Sequence, residues 1–414
     1  MVIRKGYNQS ELGIIPEDWN VMKFQKICLI LRGQVNPQKK PYRDMLHIGL
    51  ANIEKFTGKL VDTKTSNEDN LISGKFLFSA KHVLYGKINP HFRKVVFPKY
   101  EGLCSADIYP IECNSDYLIP EFLFYYLLSE NFTKTAVSFS KRSGIPKINR
   151  NQINLIDVAL PSIPEQEKIS QVLSDIDKLI DSLESLIQKK KNIKQGAMQE
   201  LLTGKRRLEG FSGEWTTCEL GKECQIITKG TTPTSIGKNF TKNGINFVKI
   251  ESVSNSGHII NENLAFIDLE THNILKRSQL KENDVLFSIA GALGRTCIIS
   301  KELLPANTNQ ALSVIRLKNP SNILVNFLFY YLNSDIISNQ INTMYVQGAQ
   351  SNLSLQNIYD FIISFPTIPE QTEISKILTD MSYEIQQLES QKEKYINLKQ
   401  AMMQKLLTGE IRLV

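Results

Sequence analysis

Residues 162–204 read SIPEQEKISQVLSDIDKLIDSLESLIQKKKNIKQGAMQELLTG, and residues 367–409 read TIPEQTEISKILTDMSYEIQQLESQKEKYINLKQAMMQKLLTG. The second stretch repeats the first at a shift of 205 residues (163 to 368), without a gap. Within each copy apolar residues return at alternating spacings of four and three. They are Ile169, Leu173, Ile176, Ile180, Leu183 and Ile187 in the first copy, and Ile374, Leu378, Met381, Ile385 and Leu388 in the second. That period of 3.5 is the seam of a coiled coil, and the residues off the seam are largely charged or amide. Ser162 with Glu165, and Thr367 with Glu370, have capping-box spacing, and a proline in the first turn forfeits no helical hydrogen bond. Gly204 and Gly409 stand where a left-handed residue would end each helix. A helix from 164 to 203 would run about 60 Å at 1.5 Å per residue. Two such helices with narrow seams are expected to pack against each other, antiparallel.

The repeat reaches upstream and then fades. Phe122–Leu127 returns as Phe327–Leu332 at the same shift, Leu77-Phe78-Ser79 loosely matches Leu286-Phe287-Ser288, and Trp19 has a looser counterpart in Trp215. Each half is therefore a variable globular part followed by a nearly constant helical part. The expected architecture is α+β with a pseudo-twofold internal repeat. Its parts are a mixed α/β domain over 1–160, a helical spacer over 161–210, a second mixed α/β domain over 211–365 and a second spacer over 366–414. Short apolar runs bounded by Gly, Pro, Asn and Lys predict strands at Met45–Ile53, Lys75–Ser79, Lys94–Phe97, Ile245–Ile250, Val285–Ala290 and Leu312–Leu317.

The 414 residues allow two or three domains, each with its own core. A net charge of +7 permits a nucleic-acid partner without demanding one. The amino terminus lacks an apolar segment of signal-peptide length, no run is long enough to span a membrane, and the six cysteines never form a C-x-x-C pair. A cytoplasmic protein with no metal site is the expectation. No phosphate-binding loop, G-x-G-x-x-G turn, Asn-Pro-Pro-aromatic signature or H-E-x-x-H pair occurs, so no catalytic residue is assigned. Asp44 with Asp62-Thr63-Lys64 imitates a nuclease pattern, but three letters in a polar run arise readily by chance.

Three acid-free stretches carry the more specific signal. Ala80–Tyr100 holds Lys87, Arg93 and Lys94; Asn131–Ile156 holds Lys141, Arg142, Lys147 and Arg150; Gln225–Ile250 holds Lys229 and Lys249. Such stretches suit backbone phosphates. Asn89, Asn149, Asn309, Gln310, Gln347, Gln350 and Asn352 have the amide chemistry that reads adenine edges, and Arg93, Arg142 or Arg295 could read guanine.

The duplicated Ile-Pro-Glu-Gln, the seam and the Leu-Leu-Thr-Gly ending, each after a divergent domain, resemble the DNA-specificity subunits of Type I restriction–modification systems. The opening Leu12–Trp19 is similar to that family's usual start. The resemblance implies that each globular domain is a target-recognition domain reading one half of a split, asymmetric duplex DNA site. The helices would fix the gap and dock two modification subunits carrying S-adenosylmethionine. Two restriction subunits using ATP and Mg²⁺ can join them, while this chain holds no cofactor and does no chemistry. The alternatives from other classes are a coiled-coil scaffold and a self-contained nuclease or methyltransferase.

Overall fold

The computed structural model describes residues 5–140, 144–318, 321–347 and 352–413. The chain divides into two compact units, Met1–Glu184 with Ser390–Val414, and Ser185–Glu389. Both boundaries fall inside the long helices Ile163–Leu201 and Ile368–Leu406, so each unit owns half of each.

The first unit is built on an antiparallel sheet in the order Cys28–Ile30, Ile108–Cys113, Val83–Gly86, Val95–Val96. A second sheet runs Lys64–Thr65, Leu46–Ile48, Gly102–Cys104, Phe76–Phe78, with its central pair parallel. Helices Pro120–Leu128 and Glu130–Ser140 cover the first sheet, and Phe122, Leu127 and Phe132 pack with Val83 and Tyr85 in one core. The second unit repeats this plan. Its sheet order is Cys224–Lys229, Leu312–Leu317, Val285–Ser288, Thr296–Ile298, beside Ala265–Ile267, Ile245–Val248, Ala306–Thr308 and the helices Val325–Leu332 and Asp335–Gln347. Registers fix the equivalences: Val83 faces Ile111 as Val285 faces Ile315. Of the predicted strands Leu312–Leu317 is observed in full, the others are shortened, and the second half of Met45–Ile53 is instead the 3-10 turn Leu50–Asn52. Cys28–Ile30, Val83–Gly86 and Ile108–Cys113 were not anticipated.

The spacer helices serve two masters. Ile169 and Leu173 belong to the core of the first unit, joined there by Leu406 and Leu407 from the far end of the other helix. Ile374 and Leu378 do the same in the second unit with Met198 and Leu201. Ile180, Leu183, Ile187 and Ile385 are buried; Ile176, Met381 and Leu388 are half-buried. Within the first unit Asp177 pairs with Lys399 (2.6 Å) and Glu184 with Lys392 (3.4 Å), which is antiparallel order. In the second unit Lys190 pairs with Glu384 at 2.6 Å.

The motif that opens each helix has a different job from the one its spacing predicts. Glu165 is 2% exposed and closes no capping box. Its carboxylate accepts from Arg412 Nε (2.6 Å) and Nη2 (2.8 Å) and from Trp19 Nε1 (3.3 Å). Arg412 donates also to both oxygens of Asp18. Glu370 takes Arg207 in the same fork, Nε and Nη2 each at 2.7 Å. Gln166, fully buried, donates to the carbonyls of Tyr117 and Pro161 and accepts from Ile119 N–H. Gln371 repeats this with Asn322, Pro366 and Leu324. Glu-Gln is thus a clasp: Glu holds the tail that follows the opposite helix, and Gln satisfies three backbone groups of the preceding domain. Gly204 and Gly409 have φ of +69° and +73°, the left-handed conformation that lets the chain turn back to the clasp.

Candidate nucleic-acid interface

The four-stranded antiparallel sheet of each unit carries one prominent hairpin. In the first unit it links Val83–Gly86 to Val95–Val96, with Gly86 N–H donating to Lys94 O; in the second, Ser288 N–H donates to Arg295 O. Two turns of positive φ shape each hairpin. In the second unit glycines adopt them, Gly291 (+73°) and Gly294 (+79°); in the first, Asn89 (+50°) and Arg93 (+48°) do so. Left-handed backbone is uncommon at a side chain such as arginine, so this hairpin holds strain that its surroundings enforce. A following segment leans on the hairpin in both units: Ile148 N–H donates to Lys87 O as Leu353 N–H donates to Ile289 O.

Comparing equivalent positions sorts the candidate cations. Lys94 Nζ donates to Leu50 O, and Arg295 donates to Val253 O (3.1 Å) and Ile250 O (3.5 Å). Both cations therefore cap a 3-10 turn, Leu50–Asn52 or Ile250–Ser252. Asn149 caps the helix Arg150–Asn154 by accepting from Gln152 N–H, and Ser354 plays that part in the other unit. Arg93 lies 5.9 Å over the Phe56 ring, and Lys249 lies 5.7 Å over Phe240. Lys87 donates to Ala106 O and sits 3.4 Å from Asp107, beside Lys147. Lys229 ends its strand, exposed. In the second unit the amides gather. Gln310 accepts from the Thr232 hydroxyl, Asn309 O accepts from Gly230 N–H, and Arg277 reaches Thr231 at 3.2 Å. Asn352 is exposed at the start of the segment that supports the hairpin. Gln347 closes the helix Asp335–Gln347. Lys141, Arg142 and Gln350 lie outside the described residues. Sequence reasoning overlooked Thr232, Arg277 and Arg32; the first two show only through pairings across 78 and 46 residues.

The family model for the Type I restriction modification DNA specificity domain matches residues 16–195 and again 212–398. The chain belongs to that family. The EcoDI specificity subunit of Escherichia coli is 32% identical over 183 residues, 44% of this chain and 40% of that subunit's length. The MjaVIII specificity subunit of Methanocaldococcus jannaschii is 25% identical over 423 residues, 96% of this chain and 94% of that one. Among solved structures, the Type I restriction–modification S subunit from M. genitalium superposes with a TM-score of 0.59 at 13% identity, covering 98% of each chain. A chain from a structure described as the basis of complex assembly and conformational transition of the type I R-M system gives 0.60 at 19%, over 96% of this chain and 99% of that one. These likenesses confirm the α+β fold of two recognition domains and two long helices.

Each target-recognition domain carries two ionisable side chains at equivalent positions, the first of them buried. In the second domain Asp284 accepts from Arg316 Nε and Nη2, both 2.7 Å, and from Lys281 N–H. In the first, His82 Nδ1 accepts from Ser79 N–H (2.8 Å) while Nε2 faces Glu112 at 4.0 Å. Burial holds the His82 pKa below its ordinary 6.5, against the pull of Glu112 and with a smaller push from Lys81. His47, also buried and beside Asp69, is lowered chiefly by burial too. A histidine whose folded pKa is depressed contributes stability that is complete above the unfolded value and is lost as pH falls below it. The first domain is therefore expected to loosen as pH falls below about 6.5. Amide protection across Val83–Gly86 should drop with acid, and less so in His82→Gln, which keeps an acceptor for Ser79 and does not titrate. Equal acid loss in both proteins would refute the assignment.

Among the described residues no three His, Cys, Asp or Glu side chains converge as metal ligands, and no helix is long and apolar enough to cross a membrane.

Proposed function

We propose that this chain is the DNA-reading, non-catalytic member of a cytoplasmic Type I restriction–modification complex. Each target-recognition domain reads one half of a bipartite duplex site. The spacer helices set the gap and dock two modification subunits, which bring S-adenosylmethionine. Two restriction subunits bring ATP and Mg²⁺. One observation carries this reading: the two domains share scaffold roles position by position yet differ in the side chains on the hairpin and its supporting segment. Lys94 and Arg295 keep one role, as do Asn149 and Ser354. The first domain sets Lys87 and Lys147 where the second sets Ile289 and Asn352. Two readers of different chemistry on one frame should recognise two different half-sites, so the site should be asymmetric.

The test is a methylome. The chain is expressed with its modification subunit in a methylation-free host, and N6-methyladenine is mapped by long-read sequencing. The expected result is a split, asymmetric motif that vanishes when this chain is omitted. Methylation that persists without the chain would overturn the proposal, as would none from an assembled, soluble complex.

A further inference from the structure

The first target-recognition domain contains a cation cluster that the second lacks. Its centre is Tyr109, on the middle strand of the recognition sheet. Arg150 lies 4.9 Å and Lys87 5.4 Å from the centroid of that ring. Arg150 also lies 5.5 Å over Phe76 and donates from Nη1 to Ile30 O at 2.7 Å, which fixes it beside the end of the strand leading to Arg32. Lys147 is held next to Lys87 by the bridge between Ile88 and Lys147 and by the bond from Ile148 N–H to Lys87 O. Two cations thus border one neutral aromatic ring, and each has a second cation beside it, Lys147 next to Lys87 and Arg32 near Arg150. The carboxylate that meets them is Asp107, 3.4 Å from Lys87; among the described residues Arg32, Lys147 and Arg150 make no ion pair.

The cluster is electrostatically uncomfortable in isolation. Burial lowers the Lys87 pKa first and the neighbouring Lys147 lowers it further; Arg150 is lowered by burial, with Arg32 adding to the effect. Like charges are gathered here against their own repulsion, and an anion would relieve it. The internal repeat argues that the scaffold does not require them. Arg32 corresponds to Lys229, because Ile30 faces Ile111 as Ile227 faces Ile315, so one cation is common to both domains. Lys87, Lys147 and Arg150 correspond to Ile289, Asn352 and Leu355, and Tyr109 to Ser313, on an otherwise matching framework.

We infer that Lys87 and Arg150, beside Tyr109, together with their neighbours Lys147 and Arg32 form a phosphodiester-binding site that anchors the DNA backbone at the first half-site. Resting on the DNA-reading role proposed above, the inference adds an asymmetry: the first domain grips its half-site with three cations for which the second has Ile289, Asn352 and Leu355. Phosphate contacts position a protein on the duplex without reading bases, and each one releases condensed counterions.

The experiment uses the complex with its modification subunits and a duplex carrying its mapped motif, with affinity measured across a salt series. Lys147→Gln and Arg32→Gln alter the two cations least tied to the fold, and unchanged thermal midpoints establish that both variants are intact. Each is expected to lower the slope of log affinity against log salt by about 0.9, and the pair together by about 1.8. Binding should weaken several-fold, equally on matched and mismatched duplexes, with the methylated motif unchanged. Lys147→Arg should keep the wild-type slope. An unchanged slope in both Gln variants would overturn the inference, and so would an altered first half-site, which would make these side chains base readers. The wild-type complex is its own control: if it shows no split motif, the DNA-reading role fails before any variant is judged.

Discussion

Replacing Arg412 by alanine is expected to destabilise the first unit by roughly 3–5 kcal/mol, the cost of leaving a buried charge without its partner. The charge in question is Glu165, 2% exposed and 247 residues away in sequence. Without the guanidinium its carboxylate keeps only Trp19 Nε1 at 3.3 Å and Leu413 N–H at 3.4 Å, neither of them charged. Arg412→Lys should recover only part of the loss. An ammonium cannot present the fork that now meets both oxygens of Glu165 and both of Asp18. Replacing the pair together, Arg412→Met with Glu165→Leu, should be milder than Arg412→Ala alone, because no orphaned charge remains. Urea unfolding followed by residue-resolved hydrogen exchange reads the effect where the clasp acts, on amides of the first unit. A loss below about 1 kcal/mol would mean that the clasp is ornamental.

The clasp also marks what could be read in the sequence and what could not. The repeat itself was legible because helix seams, glycine stops and Glu-Gln recur as words at one fixed shift. Their meaning was not. Glu165 sits where a capping box would place it, and local spacing offers no hint of an arginine from the far end of the chain. Ile169 and Leu173 show the same limit. Period 3.5 reveals which face of a helix is apolar but not whether a second helix or a globular core covers it, and here the core does. Among the basic loops, composition separated cation-rich segments from the rest and went no further. Lys94 stands in those loops as promisingly as Lys147, and Arg295 has the side chain to read guanine, yet both reach carbonyls of a neighbouring turn. Only the paired registers of two domains show which cations the frame reuses and which belong to one domain alone.

Asp284→Ala should be the most damaging single change in the second recognition domain, by about 3–5 kcal/mol. Asp284 is fully buried at the head of the strand Val285–Ser288, and its two oxygens serve three donors: Arg316 twice and Lys281 N–H once. Removing it leaves a largely buried guanidinium facing apolar strands and a backbone N–H without an acceptor. Asp284→Asn keeps an acceptor for Lys281 but forfeits the charge, so it should fall between alanine and wild type. The first domain supplies the sharper experiment, because His82 and Glu112 occupy the equivalent positions, and His82 still accepts from the backbone N–H three residues earlier. If the frame asks only for an acceptor at the first position and a compatible polar partner at the second, transplanting the pair should work where half of it fails. Asp284→His alone places an imidazole against Arg316, and Arg316→Glu alone sets two carboxylates side by side; each should destabilise. Together they should recover at least about 1 kcal/mol relative to the sum of the single changes. Loss of amide protection at Val285–Ser288 in urea measures all four proteins on one scale. Strict additivity would show that each domain has fitted its surroundings to its own pair, and that the duplicated frame is shared in backbone only.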